Sequence, residues 1–330
     1  MIPFFSGADV REAVSPERAL QAVHEAFVAY ARGEWTMPPK VYVPAYPAGD
    51  FRAMPALGGG HALLKWVTSF PGNPAQGLPT VTGLVLLSDA TNGMLVAALD
   101  AGAVTALRTG AAAVLAAETL GKPDAETASV IGAGVNGEAA ARTFLARGRR
   151  VLLWDLDATR AESVAERIGA GVAAGREEAL AADLLVTVTP GREIVLAEGS
   201  LRPGQHASLM GADGPGKAEI AVAELARVRL FCDDWEQGGT NGTPGRGRIY
   251  ADDWEQASHN GDLMHAVKAG VLDRDDVVQL GDVLAGTAQS RESDRDITIF
   301  DSTGLAIQDL AIALAAMERA NELDLQTLDL

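Results

Sequence analysis

The sequence predicts an α/β protein built from a doubly wound parallel sheet and a separate, mixed α+β domain. From Thr127 onward, short apolar runs alternate with helical stretches, the pattern of parallel strands covered by helices. Before residue 120, several extended segments instead follow one another directly. A chain of 330 residues that is 48% hydrophobic is long enough to bury a core in each of two domains.

The first 120 residues predict a helix, a run of strands and a second helix. Ser15 and Pro16 supply an N-cap and a first helical residue, and apolar residues then recur at helical spacing until Gly33. Ala101–Leu120 is rich in alanine and is followed directly by a glycine, which predicts a helix that ends there. The predicted strands between the two helices span residues 40–43, 63–67, 80–87 and 94–99.

The remainder of the chain predicts the parallel sheet. Its strands are the apolar runs at residues 128–131, 151–154, 184–188, 206–210 and 228–232. The last apolar segment, residues 305–320, predicts a helix that returns to the first domain and completes it. The predicted division is therefore residues 1–120 with 303–330 for the first domain, and residues 121–302 for the second.

The composition excludes several classes of partner. A formal charge of -17 without a cluster of Lys and Arg argues against binding to nucleic acid. No uninterrupted apolar stretch approaches the roughly 20 residues of a membrane span, and the N-terminus lacks the basic region of a signal peptide. The sequence therefore predicts a cytoplasmic protein without a membrane or nucleic-acid partner.

Cysteine and histidine usage predicts neither a disulfide nor a metal site. Cys232 is the only cysteine, and we interpret it as a small buried hydrophobic residue. The five histidines show no metal-ligand spacing. The segment Asp-Asp-Trp-Glu-Gln occurs twice, at residues 233–237 and 252–256, and we interpret it as a local duplication in a surface loop.

A glycine-rich segment after the first strand of the second domain predicts a dinucleotide site. Gly132, Gly134 and Gly137, with Val135 and Asn136 between them, have GxGxxG spacing between a predicted strand and a predicted helix. The first glycine permits the tight turn, the second admits the pyrophosphate, and the third lets the helix pack on the strand. The pyrophosphate then binds at the N-terminus of the helix. This is the motif of a Rossmann domain.

Asp155 follows the second strand of that domain, at the distance expected for the acid that binds the adenosine ribose hydroxyls. A carboxylate there repels the 2′-phosphate of NADP, so the sequence predicts NAD as the cofactor. Arg160 lies close enough in the sequence to weaken this preference.

Lys65 is the most conspicuous polar residue of the first domain. It interrupts the apolar strand segment at residues 63–67. A buried ammonium group must find a partner or lose its proton, and buried lysines often take part in chemistry. We therefore regard Lys65 as a candidate catalytic residue.

Six strings that are spread over most of the chain resemble the ornithine cyclodeaminase/μ-crystallin family. They are MPPKVYV, FRAMPAL, LKWVTSFPGNPAQGLPTV, ALRTGAA, GADGPGKAE and IFDSTGLAIQD. The resemblance implies a first domain that binds substrate and forms a homodimer, with the Rossmann domain inserted before a C-terminal helix.

The resemblance also implies roles for individual residues. Lys65 and Arg108 match positions that clamp the substrate carboxylate, and Lys40 matches a further basic contact. Asp213 in the GADGPGKAE loop matches the catalytic acid. Either Asp213 or Lys65 is then the main acid or base. Residues that match cofactor-lining segments are Thr109, Thr189, Ser302 and Thr303.

Arg52 suggests the substrate. Cyclodeaminases of the family carry Glu two residues before Met-Pro, where it holds the distal ammonium of ornithine, whereas this chain has Arg52. Two like charges at about 4 Å cost roughly 4 kcal/mol at an effective dielectric of ~20. The resemblance is therefore to the alanine dehydrogenase branch, and it implies NAD-dependent oxidation of L-alanine to pyruvate and ammonia.

Three alternatives remain open within the resemblance. A cyclodeaminase converts ornithine to proline and ammonia, and a reductase acts on a cyclic ketimine. A μ-crystallin-like member binds a small ligand in a nucleotide-dependent way without turnover. In each case the implied partner is a small amino or imino acid.

Overall fold

The computed structural model describes residues 1–212, 216–226, 228, 248–251, 253 and 260–329. The chain divides into two compact units, residues 1–108 with 305–330, and residues 109–304. The first is the mixed α+β unit, and the second is the parallel α/β unit. Each is described by itself.

The first unit contains a seven-stranded sheet in the order β15-β1-β6-β5-β4-β3-β2. All neighbouring strands are antiparallel except β1 and β6. The strands are β1 (Ile2–Phe5), β2 (Val41–Ala45), β3 (Gly49–Gly58), β4 (His61–Ser69), β5 (Val81–Asp89), β6 (Leu95–Asp100) and β15 (Gln326–Leu328).

Three α-helices lie wholly within the described part of the first unit: α1 (Gly7–Ala13), α2 (Pro16–Ala31) and α10 (Ala306–Met317). The Ser15 hydroxyl accepts a hydrogen bond from the backbone N–H of Arg18, which confirms the predicted N-cap of α2. Helix α10 is almost entirely buried and packs on α2, β3 and β4. One face of the sheet is therefore covered by the C-terminal helix.

The second unit contains an eight-stranded sheet in the order β13-β12-β14-β11-β10-β7-β8-β9. Every neighbouring pair is parallel, as the sequence predicts. The strands are β7 (Thr127–Ile131), β8 (Arg150–Trp154), β9 (Gly171–Val172), β10 (Leu184–Thr187), β11 (His206–Leu209), β12 (Arg248–Ala251), β13 (Val278–Gln279) and β14 (Thr298–Asp301).

The helices that lie wholly within the described part of the second unit are mostly short. They are α4 (Val135–Ala146), α5 (Ala158–Ile168), α6 (Arg176–Ala179), α7 (Val222–Leu225), α8 (Leu263–Lys268) and α9 (Leu280–Leu284). The strand predicted at residues 228–232 lies outside the described residues except for Val228.

Helix α3 (Ala101–Leu120) has the predicted bounds but contains the division between the units, which falls after Arg108. This differs from the predicted boundary near residue 120. The end of α3 belongs to the parallel unit because it packs closely there: a Cβ on Gly110 would lie 2.7 Å from the backbone of Ala139. The Ser208 hydroxyl of β11 also donates to the carbonyl of Ala113 at 3.0 Å.

Helix α3 is also the one helix among the described residues that is long and apolar enough to cross a membrane. Most of it is buried inside the protein, as in a core helix.

Candidate functional site

Two basic side chains of the first unit lie on the face of the sheet that α10 covers. Alternation along β3 and β4 buries Arg52 and Lys65, while their sequence neighbours are more exposed. Met54 of β3 is paired with Lys65 of β4, so the two cations are close to one another on adjacent strands. The Lys65 side chain is only 1% exposed.

Lys65 forms a buried ion pair with Asp309 of α10, with Nζ 2.9 Å from Oδ1. Burial lowers the pKa of Lys65 to about 8. Asp309 opposes that shift, whereas the charges of Arg108 and Arg52 contribute to it. The Asp309 carboxylate is thus the partner that a buried ammonium group requires.

Arg108 of α3, at the division between the units, also contacts Asp309 and forms a cluster with it and Lys65. Its Nε lies 3.6 Å from Asp309 Oδ1, and its Nη1 donates to Gln308 Oε1 at 3.4 Å. Among the described residues, Arg108 Nε, Gln308 Nε2 and Asp309 Oδ2 are buried without a hydrogen-bond partner. A carboxylate would accept hydrogen bonds from the two unsatisfied donors, Arg108 Nε and Gln308 Nε2.

Arg52 has a carboxylate partner on its own strand. Its Nε lies 2.6 Å from Oδ1 of Asp50, both side chains are buried, and its guanidinium lies 5.3 Å from the centre of the Tyr42 ring. The pairing follows from strand geometry, because residues two apart on β3 share a face. The repulsion expected for a distal ammonium is therefore reduced.

Lys40 is half-buried immediately before β2. Sequence reasoning missed Asp50, Gln308 and Asp309. Asp50 could have been found from its position two residues before Arg52. Nothing in the sequence pairs Asp309 with Lys65, since the two are 244 positions apart.

The glycine-rich segment of the second unit has the geometry of a dinucleotide cradle. Gly132 has φ +111° between β7 and α4, and a Cβ on Gly137 would lie 1.8 Å from the Gly132 carbonyl oxygen. Gly134 has no atom within 4 Å of a Cβ position and offers no side-chain cap to α4. The backbone amides that begin α4 can therefore donate hydrogen bonds to a pyrophosphate, and these residues fit NAD.

Asp155 directly follows β8 and lies beside the glycine-rich loop. Its Oδ2 accepts a hydrogen bond from the Ala133 amide at 2.7 Å, and its Oδ1 accepts one from the Asp157 amide at 2.9 Å. Arg160 Nη1 is 3.7 Å from Oδ2. The carboxylate is thus held at the edge of the sheet where a ribose would bind, with a cation nearby.

The other residues predicted to line the cofactor are described in the second unit. Thr189 follows β10, and Ser302 and Thr303 follow β14, so all three lie at the carboxyl edge of the sheet. Ligands of open α/β sheets bind at that edge. Thr109 is buried in α3, and its hydroxyl has no partner among the described residues.

Three features of the sequence analysis lie outside the described residues. They are Asp213, Cys232 and nearly all of the two Asp-Asp-Trp-Glu-Gln segments. The described parts of the chain contain no group of three or more His, Cys, Asp or Glu that could hold a metal ion.

Residues 4–324 match the profile of the ornithine cyclodeaminase/mu-crystallin family. The chain belongs to this family. One relative is the alanine dehydrogenase of Archaeoglobus fulgidus, 40% identical over 325 residues that cover 94% of this chain and 93% of the relative.

Solved structures of the family share this fold. An archaeal alanine dehydrogenase dimer with bound NAD matches with a TM-score of 0.86 at 39% identity, covering 97% of this chain and 96% of that one. The Δ1-pyrroline-2-carboxylate reductase of Thermococcus litoralis, in complex with NADH and L-proline, matches with a TM-score of 0.87 at 26% identity. In that case 99% of this chain and 100% of the other are covered.

Proposed function

We propose that this protein is an NAD-dependent dehydrogenase that oxidises L-alanine reversibly to pyruvate and ammonia. The observation that carries the proposal is the buried cluster around Lys65, in which the unsatisfied donors of Arg108 and Gln308 suit one carboxylate. The similarity to the alanine dehydrogenase of Archaeoglobus fulgidus supports the choice of substrate.

NAD is the cofactor, and when bound it would accept a hydride from the Cα of the substrate. Gly132, Gly134 and Gly137 would leave room for its pyrophosphate, and Asp155 would accept hydrogen bonds from the ribose hydroxyls. We propose, from the glycine-rich motif and the family resemblance, that further residues contact the cofactor: Val135, Asn136, Thr109, Thr189, Ser302 and Thr303.

The basic residues of the first unit would hold and orient the substrate. Arg108, Arg52 and Lys40 would bind the carboxylate, which fixes the Cα hydrogen in one direction. The α-ammonium group must lose a proton before the hydride leaves, and the water that attacks the iminium must lose one afterwards. Lys65, with its lowered pKa, or Asp213 would accept these protons.

Asp50 favours a second candidate, a cyclodeaminase acting on a diamino acid. A buried carboxylate beside Arg52 is an acceptor that a distal ammonium could use if Arg52 moved aside. Such an enzyme would close the imine with the internal amine and return the hydride, so no NADH would accumulate.

A substrate panel tests the proposal. Purified protein is mixed with NAD and L-alanine or L-ornithine, and in the reverse direction with NADH and Δ1-pyrroline-2-carboxylate, while absorbance reports NADH. Net NADH formation with alanine is expected. Ornithine consumption without NADH would establish the cyclodeaminase, and faster NADH oxidation with the cyclic imine would establish a reductase. NADH binding without turnover of any compound would indicate a ligand-binding protein.

We further propose that the protein is a cytoplasmic homodimer. The face of the seven-stranded sheet opposite α10 exposes apolar side chains, among them Val43, Leu64, Trp66 and Leu84. Apolar patches of this kind commonly mark protein interfaces. The related archaeal alanine dehydrogenase is a dimer, so the occupant we assign to this face is a second copy of the chain.

A further inference from the structure

Three buried acids lie near the carboxyl edge of the parallel sheet and have no part in the proposed reaction. They are Glu219, Asp262 and Asp301, each at most 1% exposed. Burial of a carboxylate is costly unless hydrogen bonds compensate, so their partners indicate what they do.

Glu219 connects the ends of two neighbouring strands. Its Oε2 accepts hydrogen bonds from the Thr187 hydroxyl at 2.8 Å and from the Gly211 amide at 2.7 Å. Its Oε1 accepts one from the Thr189 amide at 2.7 Å. Thr187 is the last residue of β10, and Gly211 follows β11. One side chain therefore fixes the backbone at the carboxyl ends of both strands.

The approach at Gly211 is too close for any other residue. A Cβ there would lie 2.6 Å from Glu219 Cδ and 2.3 Å from the Thr189 carbonyl oxygen. Only glycine therefore leaves room at position 211 for both the Glu219 carboxylate and the Thr189 carbonyl group.

Asp262 holds the backbone that carries Glu219. Its Oδ1 accepts hydrogen bonds from the amides of Glu219 at 2.6 Å and Ile220 at 3.0 Å. Asp301, the last residue of β14, accepts one from the Leu263 amide at 3.1 Å. The three acids therefore form a series of contacts that links the carboxyl ends of β10, β11 and β14.

We propose that Glu219 is a positioning residue for the oxidoreductase reaction, which sets the backbone at the ends of β10 and β11 for hydride transfer. It is fully buried and acts through Thr189 and Gly211. The carboxyl edge is where such sheets bind the cofactor, and displacement of reacting groups by about 1 Å can cost on the order of a hundredfold in rate. The inference rests on the proposed NAD-dependent oxidation.

Glu224 provides a matched control. It is 1% exposed and accepts hydrogen bonds from the amides of Gly199 at 2.6 Å and Leu201 at 2.9 Å. These residues lie in the segment that leads into the amino end of β11, away from the edge that Glu219 organises. Both acids therefore bind backbone amides inside the same unit, but only Glu219 lies at the cofactor edge.

The experiment compares Glu219→Gln with Glu224→Gln in the full-length protein. Both should lower the melting temperature. Only Glu219→Gln should lower kcat, by roughly tenfold or more, with the Kd for NADH measured by fluorescence titration within about threefold of wild type. Thr187→Val removes the hydrogen bond from the Thr187 hydroxyl to Glu219 and should lower kcat by a smaller factor. This variant tests the proposal if Glu219→Gln does not fold.

Equal kcat values for Glu219→Gln and Glu224→Gln would overturn the proposal, as would an unchanged kcat for Thr187→Val when Glu219→Gln does not fold. The assay uses L-alanine. If wild type does not oxidise alanine, the proposed substrate is wrong, and the same comparison is made with the diamino or cyclic imino acid that wild type converts.

Discussion

At the scale of single residues, Lys65 has the environment expected of a proton acceptor. Its ammonium group is buried, contacts one carboxylate and lies near two guanidinium groups. Desolvation and like charges both favour the neutral amine, and the pKa of about 8 lies close to physiological pH. General bases work best when their pKa is near the working pH.

If Lys65 is the base, kcat/KM for alanine oxidation should rise with pH and level off above about 8, because only the neutral amine accepts a proton. Lys65→Arg, which stays protonated, should lower kcat by on the order of 10² or more and remove this inflection. The control is Lys122→Arg, at a lysine whose ion pair with Asp183 is partly exposed. If the inflection in the pH profile persists in Lys65→Arg, Lys65 is not the base. Asp213 would then be the candidate, and Asp213→Asn should abolish the inflection.

At the scale of elements, the loop between β7 and α4 and the end of β8 form one local structure. The Asp155 carboxylate accepts a hydrogen bond from an amide of the glycine-rich loop, while Arg160 of α5 lies near it. The preference between NAD and NADP would therefore depend on two opposing charges: the Asp155 carboxylate would repel the 2′-phosphate of NADP, and the Arg160 guanidinium would attract it.

Asp155→Ser should narrow the preference for NAD over NADP by about 1 to 3 kcal/mol, since it removes a charge that repels the 2′-phosphate and leaves Arg160 to attract it. The ratio of kcat/KM for the two cofactors measures the effect. Asp157→Ser is the control, because it also removes a carboxylate that pairs with Arg160, at 3.5 Å, while serine can still cap α5. If the NAD to NADP ratio of kcat/KM is unchanged in Asp155→Ser, or changes equally in both variants, Asp155 does not bind the ribose hydroxyls.

Elements with strong periodicity were predictable, and those with mixed polarity were not. Strands β7, β8, β10 and β11 appear in the sequence as short apolar runs, and β7, β10 and β11 are buried along almost their whole length. Strand β3 was not predicted, because Asp50, Arg52 and Pro55 interrupt its apolar pattern; the two charged residues form an ion pair with each other. The strands β1, β9, β12, β13, β14 and β15 were not predicted either.

The candidate site was only partly predictable for a related reason. The glycine spacing and Asp155 are local in the sequence, and their geometry could be expected from the loop between one strand and one helix. The ion pair of Lys65 with Asp309 joins residues that are 244 positions apart, so no local sequence pattern can predict it. The family resemblance supplied Lys65, Arg108 and Arg52 but neither acid that binds them.

At the scale of the whole molecule, one face of the seven-stranded sheet exposes large apolar side chains, which is unusual for the surface of a monomer. Leu64 and Trp66 on β4 and Leu84 on β5 are each at least 40% exposed, and Trp66 is directly paired with Leu84. The Trp66 ring also stacks on Phe51 of β3, at 5.7 Å between centroids. Three adjacent strands thus contribute to one apolar surface.

If a second copy covers this surface, a charge introduced there should separate the subunits, because burying an unpaired carboxylate in an apolar interface is strongly unfavourable. Leu84→Asp and Trp66→Glu should shift the protein from dimer to monomer at micromolar concentration, measured by light scattering after size-exclusion chromatography. Ile194→Asp is the control, since Ile194 is equally exposed at 40% but lies in the parallel unit. Variants at Leu84 and Trp66 that remain dimeric while folded would show that the subunits associate through another surface.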